Sequence, residues 1–196
     1  VLNHPIGDFA AVRAKRPKWV PAVLTEEEVA SLLAMLDGEH WLMASLMYGA
    51  GLRVSEVHRL RIKDVDCNRR ALTIKAAKGN KDRVTMLPTP LVDALQQQIE
   101  RVRHLHALDI KQGYARVELP NAFNRKDHHA SSSFAWYFLF SSLSRSKSPT
   151  TGEIGRHHVD EQGIGRAIRN AARRLQSDKR VTRHTLRHSC ATHLPQ

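Results

Sequence analysis

The stretch Arg183-His184-Thr185-Leu186-Arg187-His188-Ser189-Cys190-Ala191-Thr192-His193 carries the strongest signal in this chain. Its apolar residues recur at every fourth position, as on one face of a helix: Leu186, Cys190 and Leu194. On such a helix His184, Arg187 and His188 lie one turn apart on a shared face. Imidazole gives or accepts a proton near neutral pH, and guanidinium offers a planar fork of donors that matches a phosphate. The stretch therefore fits either a helix start that holds a phosphodiester or a solvated basic helix face.

The charge balance of the whole chain favours a polyanionic partner. Lysine and arginine number 31 against 19 acidic residues, for a net charge of +12 and a pI near 10.3. Nucleic acid is the first partner expected from this excess, and an anionic membrane the second. No apolar run approaches the ~20 residues that span a bilayer. Two cysteines, Cys67 and Cys190, imply no disulfide framework, so we expect a cytoplasmic protein without a membrane partner.

The chain divides into a basic arm and one large domain. Residues 1–21 are interrupted by prolines and carry basic side chains and Trp19, as in a linker that follows a phosphate backbone or stays solvated. Residues 22–196 are numerous enough to bury a core. Pro195 interrupts a helical pattern at the other end, so we expect the sequence to be a piece of a longer protein.

Helix and strand signals predict a mostly helical α+β domain with a small three-stranded antiparallel sheet. Thr25 and Glu28 form a capping box before the first helix. Further helices are predicted at 41–48, from Leu52, from 90 to 113, and from 164 to 175. The strands are predicted at 64–67, 71–76 and 83–87. The aromatic run 134–140 is interpreted as a buried strand.

A second segment of interest reads Gly49-Ala50-Gly51-Leu52-Arg53-Val54-Ser55-Glu56. Its glycines permit a tight turn before a new helix around Leu52. Arg53 then lies in the first turn, where a cation opposes the helix dipole and a bound anion would explain its presence. Glu56 is placed to orient the guanidinium. The alternative is a plain surface Arg–Glu pair of small energetic value.

Together with Lys78-Gly79-Asn80-Lys81-Asp82-Arg83, these two segments resemble the catalytic motifs of the tyrosine recombinases, the phage integrase family. The order and approximate spacing match that family's first arginine box, hairpin lysine and His-x-x-Arg box, from residue 24 onward. Within the family the chain is most similar to the integron integrases. Those proteins carry an extra segment, and this chain resembles parts of it at Leu119–Pro120, Ser133–Phe140 and Arg156-His157-His158, which places the insert near residues 114–150.

The resemblance implies phosphodiester transesterification through a 3′-phosphotyrosyl intermediate, without a metal or other cofactor. Arg53 and Arg187 would neutralise charge on the phosphate. His184 would contact the phosphate or help transfer protons, and Lys78 would protonate the departing 5′-oxygen. The supporting residues would be Glu56 and His188, with His188 mainly structural.

DNA is the implied partner, either duplex or a folded single-stranded site, with the full-length protein a homo-oligomer on it. The insert would help hold unpaired bases that protrude from the folded strand. The expected DNA-contacting residues are Lys81, Arg83, Trp136, His157 and His158. Core packing is the alternative for Trp136 and the aromatic residues beside it, and a solubilising hairpin tip is the alternative for Lys81.

The family's nucleophile is a tyrosine on a later helix. Tyr48, Tyr114 and Tyr137 do not occupy a matching context, so we expect these 196 residues to bind DNA without the nucleophile. The boxes are prokaryote-like, which implies a prokaryotic cytoplasm and disfavours a type IB topoisomerase relative with the same chemistry.

Two further interpretations compete with the recombinase. A non-enzymatic basic DNA-binding module would need no convergence of the boxes on one phosphate. A metal-dependent hydrolase would use His184, His188, His193 and Cys190, since His-x-x-x-His places two ligands on one helical face. No acidic general base lies between those histidines, which weakens the hydrolase hypothesis.

Overall fold

The computed structural model describes residues 22–75, 82–119, 129–148 and 152–193. Six α-helices occur in these ranges: α1 Glu26–Ala34, α2 Gly38–Gly49, α3 Val54–Arg59, α4 Val92–Lys111, α5 Glu161–Arg174 and α6 Arg183–His193. The strands are β1 Val65–Asp66, β2 Ala71–Ile74, β3 Arg83–Met86, β4 Ser146–Lys147 and β5 Ile154–Gly155. Short 3₁₀ turns occupy Ile62–Asp64, Thr89–Leu91, Ala130–Ser132 and Phe134–Trp136. The predicted arm, residues 1–21, lies outside the described residues.

Helix α2 forms the centre of the domain. Its residues 42–47 are all buried, which is the pattern of a helix covered on every side. Helices α1, α3, α4, α5 and α6 each contact it. Both polypeptide segments that carry the sequence motifs therefore pack against one rigid central element. No helix in the described ranges is long and apolar enough to cross a membrane.

The predicted start of α1 is confirmed. The backbone N–H of Glu28 donates to the Thr25 hydroxyl at 3.2 Å, and the N–H of Thr25 donates to the Glu28 carboxylate at 2.7 Å. Leu24 and Val29, on either side of this capping box, are buried. Lys179 Nζ lies 2.6 Å from the same carboxylate and ties α1 to the loop before α6.

The predicted three-stranded antiparallel sheet is also present, in the order β1-β2-β3. Leu72 and Ile74 of β2 are buried and face the core. Ile74 pairs with Arg83 across the ladder. Because directly opposed residues share a face of the sheet, Arg83 lies on the side that faces the core.

The prediction of a strand over residues 134–140 is wrong. Phe134–Trp136 form a 3₁₀ turn, and only an isolated bridge joins Phe138 to Arg61. The four residues that follow the turn are all buried, because Tyr137 enters a small second core beside α4 while Leu139 and Phe140 enter the main core. Leu139 and Phe140 are consecutive and enter the same core, whereas successive side chains of a strand point to opposite faces.

A buried carboxylate holds the insert against α4. Asp109 is fully buried and accepts hydrogen bonds from Tyr137 Oη at 3.2 Å, Arg145 Nε at 2.9 Å and Arg156 Nε at 2.6 Å. Burial by itself raises the pKa of Asp109, but the hydrogen bonds from Arg156 and Arg145 outweigh it and the pKa is lowered overall. Asp109 therefore stays ionised and joins three parts of the insert to one helix.

Candidate functional site

Helix α3 begins at Val54, not near Leu52 as predicted, so Arg53 is the residue that caps it. The reason is local: the Arg53 N–H donates to Glu56 Oε2 at 2.8 Å, which ends the turn one residue before the helix. Gly51 adopts a φ of +61° in that turn. The Arg53 guanidinium also folds onto the same side chain, with Nη1 2.7 Å from Glu56 Oε1.

Helix α6 brings Arg187 to the same carboxylate. Leu186 and Cys190 are buried, as the predicted helical face requires. The hydroxyl of Ser189, also buried, accepts a hydrogen bond from the Leu24 N–H at 2.9 Å and fixes the position of α6. Arg187 Nη1 donates to the carbonyl of Gly51 and lies 3.4 Å from Glu56 Oε2.

A third arginine comes from the sheet. Arg83 Nη2 lies 2.8 Å from Glu56 Oε2. From the sequence, Arg83 was expected only as a DNA contact of the hairpin, with no role beside Glu56. The signal lies in the strand register, since pairing with the buried Ile74 turns Arg83 inward, but register is not apparent until the sheet is paired.

Glu56 is thus the centre of a cluster that we call the Glu56 cluster: Arg53, Glu56, Arg83 and Arg187. Only 7% of the Glu56 side chain is exposed, whereas the arginines are 35%, 34% and 31% exposed. Burial alone raises the pKa of Glu56, but hydrogen bonds from Arg53 and the charge of Arg83 outweigh it and lower the pKa overall. Three guanidinium groups around one ionised carboxylate leave a net charge of about +2, open to solvent.

His184 and His188 are both exposed on α6. Partial burial, followed by the charges of Arg183, His188 and Arg187, lowers the pKa of His184. His184 is therefore mostly neutral near pH 7 and able to accept a proton. An anion bound beside Arg187 would oppose this effect and raise the pKa.

The other predicted DNA-contacting residues that the structure describes are not members of the Glu56 cluster. Lys78 and Lys81 are outside the described residues. Trp136 is half-buried, and Lys63 Nζ lies 3.1 Å from the centre of its ring. His158 Nδ1 donates to the Val159 carbonyl oxygen at 2.8 Å, and the ring packs edge-on against Phe138, while His157 is half-buried.

None of the tyrosines is among the residues that meet at Glu56 in the described ranges. Tyr137 is fully buried, and burial, followed by Asp109, raises the pKa of its hydroxyl. Tyr48 Oη lies 2.9 Å from His193 Nδ1, and the ring of Tyr114 lies 4.5 Å from the Arg145 guanidinium.

In the part of the chain that the structure describes, no group of three or more His, Cys, Asp or Glu side chains is arranged to hold a metal ion. The residues invoked by the hydrolase hypothesis instead have other surroundings. His193 contacts Tyr48, and Cys190 is buried close to Gly51.

Comparison with known proteins gives a match to the model of the phage integrase family over residues 22–196. An integrase/recombinase of Escherichia coli and one of Pseudomonas aeruginosa are each 40% identical over 182 residues, covering 93% of this chain and 54% of the relative. The tyrosine recombinase XerA of Thermococcus onnurineus is 33% identical, covering 92% of this chain and 51% of the relative. This chain spans about half the length of these relatives.

Solved structures share the fold at low identity. The Tn1549 transposon integrase in complex with transposon right end DNA superposes with a TM-score of 0.61 at 17% identity, covering 92% of this chain and 55% of that one. The XerA recombinase gives a TM-score of 0.58 at 24% identity, covering 90% and 51%. The predicted mostly helical α+β fold is confirmed by these neighbours and by the observed elements. With its motif order and the match over residues 22–196, the chain belongs to the phage integrase family of tyrosine recombinases.

Proposed function

We propose that this chain is the larger part of the catalytic domain of a site-specific DNA recombinase, which exchanges phosphodiester bonds through a 3′-phosphotyrosyl intermediate without a metal. The observation that carries this proposal is the Glu56 cluster, where a net charge of about +2 faces solvent. The chain's charge of +12 favours DNA as the source of the anion. We also propose a prokaryotic cytoplasm and a homo-oligomer on DNA for the full-length protein.

Each residue of the site has a proposed role. Arg53 and Arg187 offer fork-shaped donors to the non-bridging oxygens of the phosphate, whose charge grows in the transition state. Glu56 orients the Arg53 guanidinium, and the Gly51 carbonyl holds that of Arg187. His184, with its lowered pKa, accepts or passes a proton beside them. Lys78 is proposed, by family resemblance alone, to protonate the departing 5′-oxygen.

Helix α5 offers a surface for further phosphate contacts. Its buried side includes Ile164, Ile168 and Ala171. Its opposite side exposes a row of arginines at helical spacing: Arg166, Arg169, Arg173 and Arg174. Such a row suits a DNA backbone, which carries regularly spaced charges.

We propose that these 196 residues bind DNA without attacking it. Covalent catalysis requires an activated nucleophile within reach of the phosphorus. Tyr137 is fully buried beside Asp109, Tyr48 is held by His193, and Tyr114 lies beside Arg145 in the insert.

The test is to trap the protein on a nicked suicide substrate and look for a denaturation-resistant band. The 196 residues alone should give no band. The same chain extended with the carboxy-terminal segment of the Escherichia coli relative should give one without added metal, and mutation of the tyrosine in that segment to Phe is the matched control. A band from the unextended chain would contradict the proposal.

The integron subtype is a finer proposal, supported by the insert. The half-buried ring of Trp136 lies beside Lys63 and Arg61, and displacement of the Lys63 side chain would let a base stack on it. A DNA hairpin with bulged-out bases should then bind more tightly than a perfect duplex of equal length and base composition. Substitution W136A should reduce this preference while leaving duplex affinity unchanged. Equal affinities of the unmodified chain for the two DNAs would contradict the integron subtype, but would not contradict the proposal that the chain is a recombinase.

A further inference from the structure

The oxygen atoms of Glu56 are shared unequally among their donors. Oε2 accepts from the Arg53 N–H at 2.8 Å and from Arg83 Nη2 at 2.8 Å. Arg187 Nη1 lies 3.4 Å from the same atom, at the outer limit of a hydrogen bond. Since a carboxylate oxygen has two lone pairs, Arg53 and Arg83 fill the capacity of Oε2, which is the Glu56 oxygen that Arg187 approaches. The other oxygen, Oε1, accepts from Arg53 Nη1 at 2.7 Å.

Arg187 is consequently held by other means. Its Nη1 donates to the carbonyl of Gly51, a neutral acceptor, instead of closely to the carboxylate. A close, bidentate pair with Glu56 would occupy the N–H donors of Arg187 and neutralise its charge, both of which a phosphate requires. The weak contact at 3.4 Å leaves the Arg187 guanidinium available, and the side chain is 31% exposed.

The sheet fixes Arg83 in its position. Arg83 pairs with Ile74, whose side chain is buried at 2% exposure. A shift of the Arg83 backbone would therefore disturb its pairing with Ile74, a core residue. The guanidinium reaches Glu56 across a separation of 27 residues in sequence.

We propose, resting on the function proposed above, that Arg83 is a positioning residue of the phosphate site. By occupying Glu56 Oε2, Arg83 prevents a close ion pair between Glu56 and Arg187 and keeps the Arg187 guanidinium free for a phosphate oxygen. Arg83 acts through Glu56 and not as a direct phosphate ligand. The role differs from a plain DNA contact in one respect: it depends on the Glu56 carboxylate.

Removal of Arg83 should expose this dependence. In R83M, the aliphatic stem remains but the donors are lost, so a lone pair on Oε2 becomes free. Arg187 then moves to Glu56 and loses affinity for phosphate. In the E56Q background there is no carboxylate to capture Arg187, so the same R83M substitution should matter little. A direct phosphate ligand would show the same loss in both backgrounds.

The experiment is a double-mutant cycle on the whole 196-residue chain. The probe is inorganic phosphate, and the readout is the NMR shift of the Nε–H groups of Arg53 and Arg187. We expect R83M to raise the Kd for phosphate about tenfold, the scale of one charge-assisted hydrogen bond. In the E56Q background R83M should raise the Kd by about twofold or less. R103A, which removes an exposed arginine on α4, is the matched control and should leave the Kd unchanged.

The outcomes test the positioning role of Arg83 separately from the existence of the phosphate site. An equal loss from R83M in both backgrounds overturns the positioning role and makes Arg83 a simple source of charge or a direct ligand. Phosphate that moves neither the Arg53 nor the Arg187 signal in the unmodified chain overturns the phosphate site itself, and with it this inference. Circular dichroism of each variant confirms that the compared proteins are folded.

Discussion

At the residue scale, two buried carboxylates in this molecule serve different purposes. Asp109 is fully buried, and its partners Arg156 and Arg145 are only 5% and 23% exposed. Glu56 is 7% exposed, but its three arginine partners are each about one-third exposed. The charge around Asp109 is therefore enclosed by packing, whereas the charge around Glu56 is open to solvent.

Replacing Asp109 by Asn tests the first of these roles. D109N leaves the buried Arg156 without its anionic partner, which typically costs about 3–5 kcal/mol of unfolding free energy. Urea denaturation measures this cost. The control is E100Q, which removes an exposed pair with Arg103 and should cost less than ~1 kcal/mol. Equal costs for the two variants would show that Asp109 does not hold the insert.

The lowered pKa of Asp109 also predicts that the destabilisation caused by D109N depends on pH. Because the folded-state pKa of Asp109 is lowered, its contribution to stability is present above the unfolded pKa, about 3.9, and is lost as pH falls through the folded value. The stability difference between the unmodified chain and D109N should therefore shrink as pH falls below about 4. A difference that stays constant down to about pH 2 would contradict the lowered pKa.

At the element scale, features set by neighbouring residues could be predicted, and features set by tertiary contacts could not. The capping box of Thr25 and Glu28 is local and was predictable from four residues. The start of α3 is an exception, because it was misplaced although the contact that sets it, from the Arg53 N–H to Glu56, is local. The strand predicted at 134–140 is wrong because residues 134–136 form a 3₁₀ turn and the consecutive Leu139 and Phe140 both enter the main core. The position of Arg83 depended on strand register.

The insert's short strand β5 supplies a test at this scale. A Cβ added at Gly155 would lie 2.4 Å from the backbone oxygen of Arg116, so G155A must shift one of the two chains. We expect G155A to destabilise the protein by about 1–3 kcal/mol in thermal unfolding. At Gly163 in α5 the nearest atom would be 3.6 Å away, so G163A should be neutral or stabilising by up to about 1 kcal/mol. An unchanged unfolding temperature for G155A would mean that β5 does not pack closely against residue 116.

At the scale of the whole molecule, the sequence was sufficient to predict the family and to identify Arg53 and Arg187 as candidate site residues. It was not sufficient to predict how these arginines are arranged. The order of the motifs predicted the family that the comparison then showed. The convergence of Arg53 and Arg187 on Glu56 required α2, because both α3 and α6 pack on that central helix. The docking of the insert through Asp109 gave no sequence signal, since an acidic residue on a long polar helix is ordinary. We propose that the Glu56 cluster holds a DNA phosphate.

The most direct measurement of that claim compares the DNA affinity of two double variants over a range of salt concentrations. R53A/R187A removes two arginines from the cluster, and R101A/R103A removes two exposed arginines from α4, so both lose the same charge. We predict that R53A/R187A lowers DNA affinity at least ~10-fold and makes the slope of log K against log salt shallower by about 1, the value for one phosphate contact. R101A/R103A should lower affinity by less than about threefold at the same salt concentration. Equal losses in the two variants would contradict the account, because the cluster would then act only as one more patch of positive charge.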